Sequence, residues 1–534
     1  MSEDTESQLS LLMEIASNTG STDTAEKSQH ELLSEIAENT KDGGGGGGTP
    51  GPAYDDTAIK QRVSDVETKN TAQDETLTTH GQTLTELTSA IQTANQKNAA
   101  QDLILTALTR YDSQMIVPWG DSRSAQNWNT NTTPAAPLAR SWLYWAELLS
   151  QRVRMDVTYM QGVSGDKMSD LLLRIQNDTV PTGGFGTKKP SEVPPCIAAL
   201  MCWTNSINAG VPLAQLLIET NLVLDYLLSK GHKVILIAEW PRAAGSALTA
   251  DNKKLMLATH NALLKIRRKN VWIVDVWPRV ADPSSVDGYP YANMLNPDDL
   301  HNSPGIAFIT GQEIARVLRD ELALPRLKMT TASNGDQYDA VLQPQGCLNT
   351  NPMLITPGGT VGSNASGAVP LGYTLSTTNA GMSAVGSYVD VVLPDGSKRK
   401  AYRIVVSGTP TAANAQVRLR MSGLIGKVTA GDILESNYEV NVTDGHANFG
   451  APGIVIDGAA NTAIAHGGLG LTGDNIMPPQ AVGPFYGVPR SADLNCAVLP
   501  ASLSFELRLW FTLANVAASL TIDILSTSLR KKKQ

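Results

Sequence analysis

The feature that most constrains this chain is an unbroken seam of residues spaced alternately four and three apart. It runs from Ile59 to Leu108 and covers seven heptads of a 534-residue sequence. This spacing keeps one helix face against a partner, so it predicts a coiled coil of identical chains over residues 55–112. Polar seam residues fix register and strand number; here they are Asn70, Gln73, His80, Asn98 and Gln101. We expect a homotrimer, although the spacing alone also fits a dimer.

The segment before this stalk, residues 1–54, contains a short duplication and a glycine run. Leu11–Thr19 and Leu32–Thr40 match at an offset of 21 residues, and each has the apolar spacing of a short amphipathic helix. Such short helices are unstable alone, so we expect them to dock on a partner; two frayed helices without a role are the alternative. The run Gly43–Gly48 predicts a flexible linker.

Residues 113–328 alternate short apolar runs with helical patterns, which predicts a parallel sheet with helices on both faces, an α/β/α domain. The predicted strands are Met115–Trp119, Arg154–Tyr159, Ile197–Trp203, Lys233–Glu239 and Val271–Val276. The predicted helices are Leu138–Gln151, Asp166–Gln176, Leu213–Ser229, Asn252–Lys269 and Pro304–Leu318.

Residues 329–534 lack helical periodicity and are rich in Gly, Thr, Ser, Val and Asn. Strand-like runs separated by turns predict an all-β sandwich of jelly-roll-like kind. The clearest runs are Ala401–Ser407, Gln416–Met421, Ser504–Thr512 and Ser519–Ser526. We expect the basic run Arg530–Lys533 to solvate an exposed end of the chain.

Two short motifs at opposite ends of the α/β segment suggest nucleophilic catalysis. Gly120–Ser122 directly follows the first predicted strand, at the sheet edge where reacting groups lie in open α/β sheets. Asp298 and His301 lie three residues apart, just before the last predicted helix. A serine needs a base and a group that orients the base, and this pair supplies both. A plain loop histidine, or Asp299 as the orienting carboxylate, are the alternatives.

Composition argues against several other classes of protein. The net charge is −9 and the pI is about 5.4, which is unlike a nucleic-acid-binding chain. Four scattered cysteines and seven dispersed histidines form no metal or disulfide pattern, so we expect neither a metal nor another cofactor. The acidic N-terminus does not look like a secretory signal, and no apolar run is long enough to insert into a membrane.

The α/β segment resembles the SGNH/GDSL hydrolase family in its motifs. The resemblance implies a flavodoxin-like fold and an ester hydrolase in which Ser122 is the nucleophile, His301 the base and Asp298 its orienting partner. It also implies an oxyanion hole formed by the backbone N–H groups of Ser122 and Gly165 and by the side-chain amide of Asn205. The first and last motifs match the family pattern, and Gly162–Asp166 resembles its second block.

The third block departs from the family pattern. Where the family usually has Gly-x-Asn-Asp, this chain has Trp203–Ser206, in which only Asn205 is retained. Because the glycine and the aspartate are missing, the substrate geometry, and to a lesser degree the activity, can differ from those of the family.

Tryptophans follow or end several predicted strands on the catalytic edge. Trp128 and Trp203 lie near Ser122 and Asn205 in sequence, so they are candidates for stacking on sugar rings. Ordinary packing of large side chains is the alternative.

The order attachment segment, stalk, hydrolase and β-sandwich resembles that of bacteriophage tail spikes and tail fibres. The resemblance implies a virion protein whose N-terminus binds a tail or baseplate protein and whose distal domains meet a bacterial surface polysaccharide. The implied reaction is deacetylation of an O-acetylated capsule or O-antigen, and the β-sandwich would bind carbohydrate or stabilise the trimer. A catalytically inactive receptor-binding fibre and a secreted lipase-like esterase are the alternatives.

Overall fold

The computed structural model describes residues 57–129, 135–183, 186–243, 248–327, 333–393, 396–443, 446–458, 464–471, 473–475, 477, 483–498 and 501–532. The predictions for the duplicated N-terminal segments and the glycine linker lie outside these residues. The chain divides into two units, Met1–Ala99 and Ala100–Gln534. The boundaries predicted at residues 54, 112 and 328 stay predictions.

One long helix, α1, extends from Thr57 to Gln114. Its described apolar seam side chains are all exposed in the single chain; they are Val63, Val66, Leu77, Leu84, Leu87 and Ile91. The coiled coil predicted for residues 55–112, including its association with other copies, stays a prediction. Among the described residues, no helix is long and apolar enough to cross a bilayer.

The elements that follow alternate between strands and helices. In chain order they are β1 (Met115–Gly120), α2 (Ser122–Ala125), β2 (Trp128–Asn129), β3 (Ala136–Pro137), α3 (Trp142–Ser150), β4 (Arg154–Met155), β5 (Gln161–Gly162), α4 (Met168–Gln176), β6 (Ile197–Met201), α5 (Thr204–Asn208), α6 (Leu213–Ser229), β7 (Lys233–Ile237), α7 (Ala250–Leu263), β8 (Val271–Val274), α8 (Trp277–Val280) and α9 (Pro304–Arg316).

The central sheet is parallel throughout, with the strand order β4-β1-β6-β7-β8, and β5 pairs with the other end of β1. Because β4 and β5 occupy one edge position, the order is the flavodoxin-like 2-1-3-4-5. Helix α3 packs on α9, and α4 packs on α6. The predicted α/β domain with a parallel sheet is confirmed. Its strand order reverses between β1 and β6, and this reversal opens a crevice at their carboxyl ends.

One predicted strand is wrong in its extent. Arg154–Tyr159 was expected as a single strand, but β4 ends at Met155 and a 3₁₀ turn follows over Val157–Tyr159. Asp156 causes the break, because its carboxylate accepts a hydrogen bond from the Thr158 N–H at 2.9 Å. A side chain that caps a turn in this way competes with the sheet ladder for the backbone.

The described residues of the C-terminal region form strands and one short turn of 3₁₀ helix, Ile425–Lys427. The strands are β9 (Thr360–Val361), β10 (Ala365–Gly367), β11 (Tyr373–Thr377), β12 (Met382–Val392), β13 (Lys398–Gly408), β14 (Ala415–Met421), β15 (Ile433–Val442), β16 (Phe449–Gly458), β17 (Ile464–Gly467), β18 (Phe485–Gly487), β19 (Leu494–Asn495), β20 (Leu503–Phe511) and β21 (Ala518–Lys531).

These strands form two sheets, ordered β10-β12-β13-β21-β15-β18 and β17-β16-β20-β14-β11-β9, with β19 on the edge of β15. The sheets meet face to face, since the rings of Tyr438 and Phe505 from opposite sheets lie 4.7 Å apart. The β-rich region is confirmed, and its jelly-roll-like path stays a prediction. Lys531, the last residue of β21, pairs with Asp432 at 3.0 Å, so the expected solvated end is wrong for the described part of the basic run.

The β-rich region packs directly on the α/β region through an apolar contact. Phe485 lies against Trp145 and Phe308, with ring centroids 5.5 and 5.4 Å apart. Beside it, the buried guanidinium of Arg490 pairs with Glu147 at 3.3 Å. The two regions therefore share one hydrophobic core.

Candidate active site

The candidate nucleophile, Ser122, lies two residues beyond the point where β1 makes its closest approach to β6. Gly120 has φ +152°, and a Cβ added there would lie 1.7 Å from the Met201 carbonyl oxygen, so only glycine fits. Asp121 then caps α2 by accepting a hydrogen bond from the Arg123 N–H at 2.9 Å. This turn places Ser122 at the first position of α2, on the crevice side of the sheet.

Asp298, His301 and Ser122 form one hydrogen-bonded line. The His301 Nε2 atom lies 2.9 Å from the Ser122 Oγ atom, and the His301 Nδ1 atom lies 2.7 Å from the Asp298 Oδ2 atom. The structure thus brings together three residues that the sequence separates by up to 179 positions. The arrangement allows His301 to accept the Ser122 proton while Asp298 fixes the ring tautomer.

Local hydrogen bonds keep Asp298 ionised. Partial burial alone raises the pKa of Asp298, but hydrogen bonds from the His301 N–H, the His301 ring and the Leu300 N–H hold that pKa below its usual value. A carboxylate that stays charged to low pH stabilises the imidazolium that forms during proton transfer. The backbone N–H of Asp299, the alternative orienting residue, donates to the Asn296 carbonyl at 2.8 Å.

The predicted oxyanion donors follow β1, β5 and β6: Ser122 begins α2, Gly165 lies on the loop after β5, and Asn205 lies in α5. Neither the Ser122 N–H nor the Gly165 N–H has an acceptor within the described part of the chain, so both remain available to a ligand. Gly165 has φ +90° and is exposed. The Asn205 amide donates one hydrogen bond to the Asp166 carbonyl at 2.9 Å, which leaves its second N–H for a substrate oxygen.

An arginine supports this oxyanion loop, and the sequence analysis missed it. The Arg174 guanidinium pairs with the Asp166 carboxylate and also donates to the Gln161 carbonyl at 2.8 Å. Partial burial raises the pKa of Asp166, and Arg174 opposes that rise. Asp166 therefore holds Asn205 through its carbonyl and is itself held through its carboxylate. In the sequence, this ion pair is indicated only by an aspartate just before α4 and an arginine near the end of that helix.

A buried charge cluster lies behind the nucleophile and was also missed. The Arg123 guanidinium pairs with Glu239 at 2.9 Å, with neither side chain exposed, and it stacks 5.0 Å from the Trp240 ring. Glu239 also accepts a hydrogen bond from the Thr204 hydroxyl at 2.8 Å. Burial raises the pKa of the neighbouring Asp121 to about 7, against the opposing charge of Arg123. In the sequence, the only indication of this cluster is that Arg123 and Glu239 each follow an apolar strand.

The tryptophans predicted to stack on sugars lie in the core. Trp203 has no exposed surface, and its indole N–H donates to the Thr220 hydroxyl at 3.1 Å. Trp128 is 4% exposed and belongs to the same core. Neither ring offers a free face, so the alternative of ordinary packing fits both. No cluster of three His, Cys, Asp or Glu side chains suited to a metal occurs among the described residues.

No family model matches the chain. No curated protein matches it either.

Solved structures do resemble part of the chain. A carbohydrate esterase of family 3 from Talaromyces cellulolyticus has 15% identity and a TM-score of 0.27, and the match covers 39% of this chain and 98% of that one. A lipolytic G-D-S-L family member from Veillonella parvula has 14% identity and a TM-score of 0.27, covering 40% and 100%. A GDSL-like lipase from Bacteroides thetaiotaomicron has 14% identity and a TM-score of 0.28, covering 43% and 99%. TM-scores this low say nothing about function. The function proposed below is inferred from the geometry of the site.

Proposed function

We propose that this chain is a serine ester hydrolase carried by a bacteriophage tail spike or tail fibre, and that it deacetylates an O-acetylated bacterial surface polysaccharide. The main support for this chemistry is the hydrogen-bonded triad. The His301 Nε2 atom lies 2.9 Å from the Ser122 Oγ atom, and the His301 Nδ1 atom lies 2.7 Å from the Asp298 carboxylate. This is the geometry that acyl transfer by serine requires.

The proposed reaction proceeds through an acyl-enzyme. His301 removes the Ser122 proton as the Ser122 oxygen attacks the acetyl carbonyl. The N–H groups of Ser122 and Gly165 and the amide of Asn205 hold the oxyanion, and each such donor contributes about 3 kcal/mol to the transition state. His301 then gives this proton to the sugar oxygen as the bond between that oxygen and the acetyl carbon breaks, so the sugar leaves with a free hydroxyl group. His301 next activates a water molecule that releases acetate and restores Ser122.

The virion setting rests on the architecture. A long helix with an exposed apolar seam precedes the hydrolase, and this seam has the spacing of a self-associating stalk. Several sites in one trimer increase the effective affinity for a polymer that binds each site weakly. In this proposal the N-terminus attaches to a tail or baseplate protein and the β-rich region faces the glycan or steadies the trimer.

The first test concerns the chemistry and uses a serine pair two residues apart. Ser122→Ala should abolish p-nitrophenyl acetate turnover and labelling by a fluorophosphonate, which forms a covalent adduct with activated serines. Ser124→Ala is the matched control, because among the described residues the Ser124 hydroxyl bonds only to the Trp119 and Met201 carbonyls, each at 3.4 Å. Turnover that survives Ser122→Ala would contradict the proposal.

The second test concerns the substrate. Purified protein is incubated with a panel of O-acetylated capsule and O-antigen polysaccharides, and acetyl signals are followed by NMR. The proposal expects acetate release from at least one polysaccharide by the wild type and none by Ser122→Ala. Tight binding of a polysaccharide without any acetate release would instead favour a receptor-binding fibre that uses the same fold without catalysis. This alternative is consistent with the third sequence block, which keeps only Asn205 of the family pattern.

A further inference from the structure

The loop that carries Asp298 and His301 is contacted by the β-rich region. We infer that Asp474 and Asn475 of that region are positioning residues for this catalytic loop (residues 294–303), so that the hydrolase site is complete only with the β-rich region in place. The inference rests on the proposed function and adds a second part of the chain to its active site.

Asn475 makes two direct hydrogen bonds to the base of the loop. Its side-chain amide donates to the Leu295 carbonyl at 2.6 Å. Its backbone N–H donates to the Asn296 Oδ1 atom at 3.3 Å. Leu295 and Asn296 precede the catalytic pair by only a few residues, so Asn475 fixes the point at which the loop leaves the domain.

Asp474 holds the same point with a charged group. It is 1% exposed, and its Oδ1 atom pairs with Arg140 of the α/β region at 3.1 Å. Its Oδ2 atom accepts a hydrogen bond from the Leu471 N–H at 3.1 Å, and the carboxylate also hydrogen-bonds the Asn296 side chain. Asp474 therefore joins Arg140, Asn296 and its own loop into one buried network.

Asn296 transmits this support to the catalytic pair. Its N–H donates to the His301 carbonyl at 3.0 Å, and its carbonyl accepts from the Asp299 N–H at 2.8 Å. These two bonds close the turn that contains Asp298 and His301. Asn296 is 5% exposed, so water cannot freely replace a partner that is removed. A shift of Asn296 moves the His301 backbone, and with it the ring that contacts Ser122.

The apolar part of the same interface makes the inference testable by single substitutions. Phe485 packs against Trp145 and Phe308, and Asn475 takes no part in these ring contacts, so we expect the β-rich region to remain docked when the Asn475 side chain is removed. A change at Asn475 should loosen the catalytic loop without separating the two regions.

The experiment compares two losses of an interface hydrogen bond in the full chain. Asn475→Ala removes the bond to Leu295. Tyr144→Phe is the matched control, because the Tyr144 hydroxyl donates across the same interface to the Pro452 carbonyl at 2.6 Å, and this bond does not involve the catalytic loop. The measurements are kcat and KM for p-nitrophenyl acetate, the rate of fluorophosphonate labelling, the melting temperature and hydrogen–deuterium exchange of the peptide covering residues 294–303.

The expected result is a loss specific to Asn475→Ala. Its kcat and labelling rate should fall by about tenfold or more while KM changes by less than about threefold, because a displaced base slows chemistry rather than binding. Exchange in the catalytic-loop peptide should quicken. Tyr144→Phe should lower the melting temperature comparably yet keep kcat and loop exchange at wild-type values. Equal kcat and equal loop exchange in Asn475→Ala and the wild type would overturn the inference.

Failure of the proposed function is recognised separately. If the wild type neither turns over the ester nor labels at Ser122, the hydrolase proposal fails on its own. Hydrogen–deuterium exchange of the loop needs no catalysis, so faster exchange in Asn475→Ala but not in Tyr144→Phe would still support the positioning role. Unchanged exchange would reject it.

Discussion

At the scale of single residues, we expect activity to depend on the hydrogen bond between the Asp298 carboxylate and the His301 ring, and not on any carboxylate in the same loop. Asp298 and Asp299 are adjacent, and the Asp298 Oδ2 atom lies 2.7 Å from the Nδ1 atom of the His301 ring. Asp298→Asn should lower kcat for p-nitrophenyl acetate by about 10³–10⁴-fold, because the neutral amide neither fixes the tautomer nor stabilises the imidazolium. Asp299→Asn, the matched control, should stay within about threefold of the wild type. Equal losses of kcat in both variants would show that the orienting role is not specific to Asp298.

The raised pKa of Asp121 makes the free energy of unfolding depend on pH. Burial raises the pKa of Asp121 to about 7 from 3.8, with Arg123 opposing the rise and Glu239 and Asp166 adding to it. Between these values the folded chain holds a proton that the unfolded chain has lost, so the contribution of Asp121 to stability falls as pH rises to about 7. Asp121→Asn carries no charge. It should therefore gain stability relative to the wild type between pH 5 and pH 8.5, by a few kcal/mol at most.

Differential scanning calorimetry of both proteins at the two pH values checks this expectation. Any cost of the amide itself is the same at both pH values and cancels in the comparison. A difference between variant and wild type that does not change with pH would show that Asp121 titrates normally.

Some of these residue roles could be predicted from the sequence and others could not. Ser122, Asp298 and His301 stand at chain positions where a strand or loop meets a helix, and topology brings such positions to one edge. The burial of Trp203 could not be predicted, because a side chain after a strand faces either crevice or core according to the local backbone path. The contact of Asn475 with Leu295 joins residues 180 positions apart, and no local pattern signals it.

At the scale of elements, apolar runs and helical periodicity predicted the central sheet well. Helix α6 begins and ends where the pattern indicates, at Leu213 and Ser229. Strands of two or three residues, such as β5 and β9, are too short to show a period and were missed. The basic C-terminal run was misjudged because its partners, among them Asp432 and Asp493, come from other parts of the chain.

The β1–β6 pair gives a prediction at this scale. A Cβ at Gly120 meets the Met201 carbonyl carbon and oxygen at 2.7 and 1.7 Å, and both are backbone atoms that cannot swing aside. Gly120→Ala should therefore cost about 2–5 kcal/mol in the free energy of unfolding, through strain and forced separation of the strands.

Urea unfolding measures this cost, and Gly426→Ala is the control, because a Cβ there meets nothing within 4 Å. The control should change the free energy of unfolding by no more than about 0.5 kcal/mol. If both variants unfold at the wild-type urea concentration, the close approach of β1 to β6 is not a constraint.

At the scale of the whole molecule, the catalytic line and the proposed assembly are separable. Ser122, Asp298 and His301 all belong to one chain, so turnover of a small ester needs no neighbour. The exposed seam of α1, by contrast, has no partner within its own described residues, and its apolar members recur at heptad spacing. Assembly should therefore govern attachment to a polymer rather than the chemistry at each site.

Two glutamates placed in the seam test this separation. The double variant Leu84→Glu, Leu87→Glu keeps good helix formers but puts like charges where chains should meet, so sedimentation velocity should show the mass fall from three chains to one. The variant Thr85→Glu, Thr88→Glu adds the same charge on other faces of the helix and should stay trimeric. The monomeric variant should keep kcat for p-nitrophenyl acetate within about twofold, yet bind surface polysaccharide about 10²-fold more weakly because avidity is lost. An unchanged mass in the seam variant would place the association elsewhere in the chain, and a mass of two chains in the wild type would replace the trimer with a dimer.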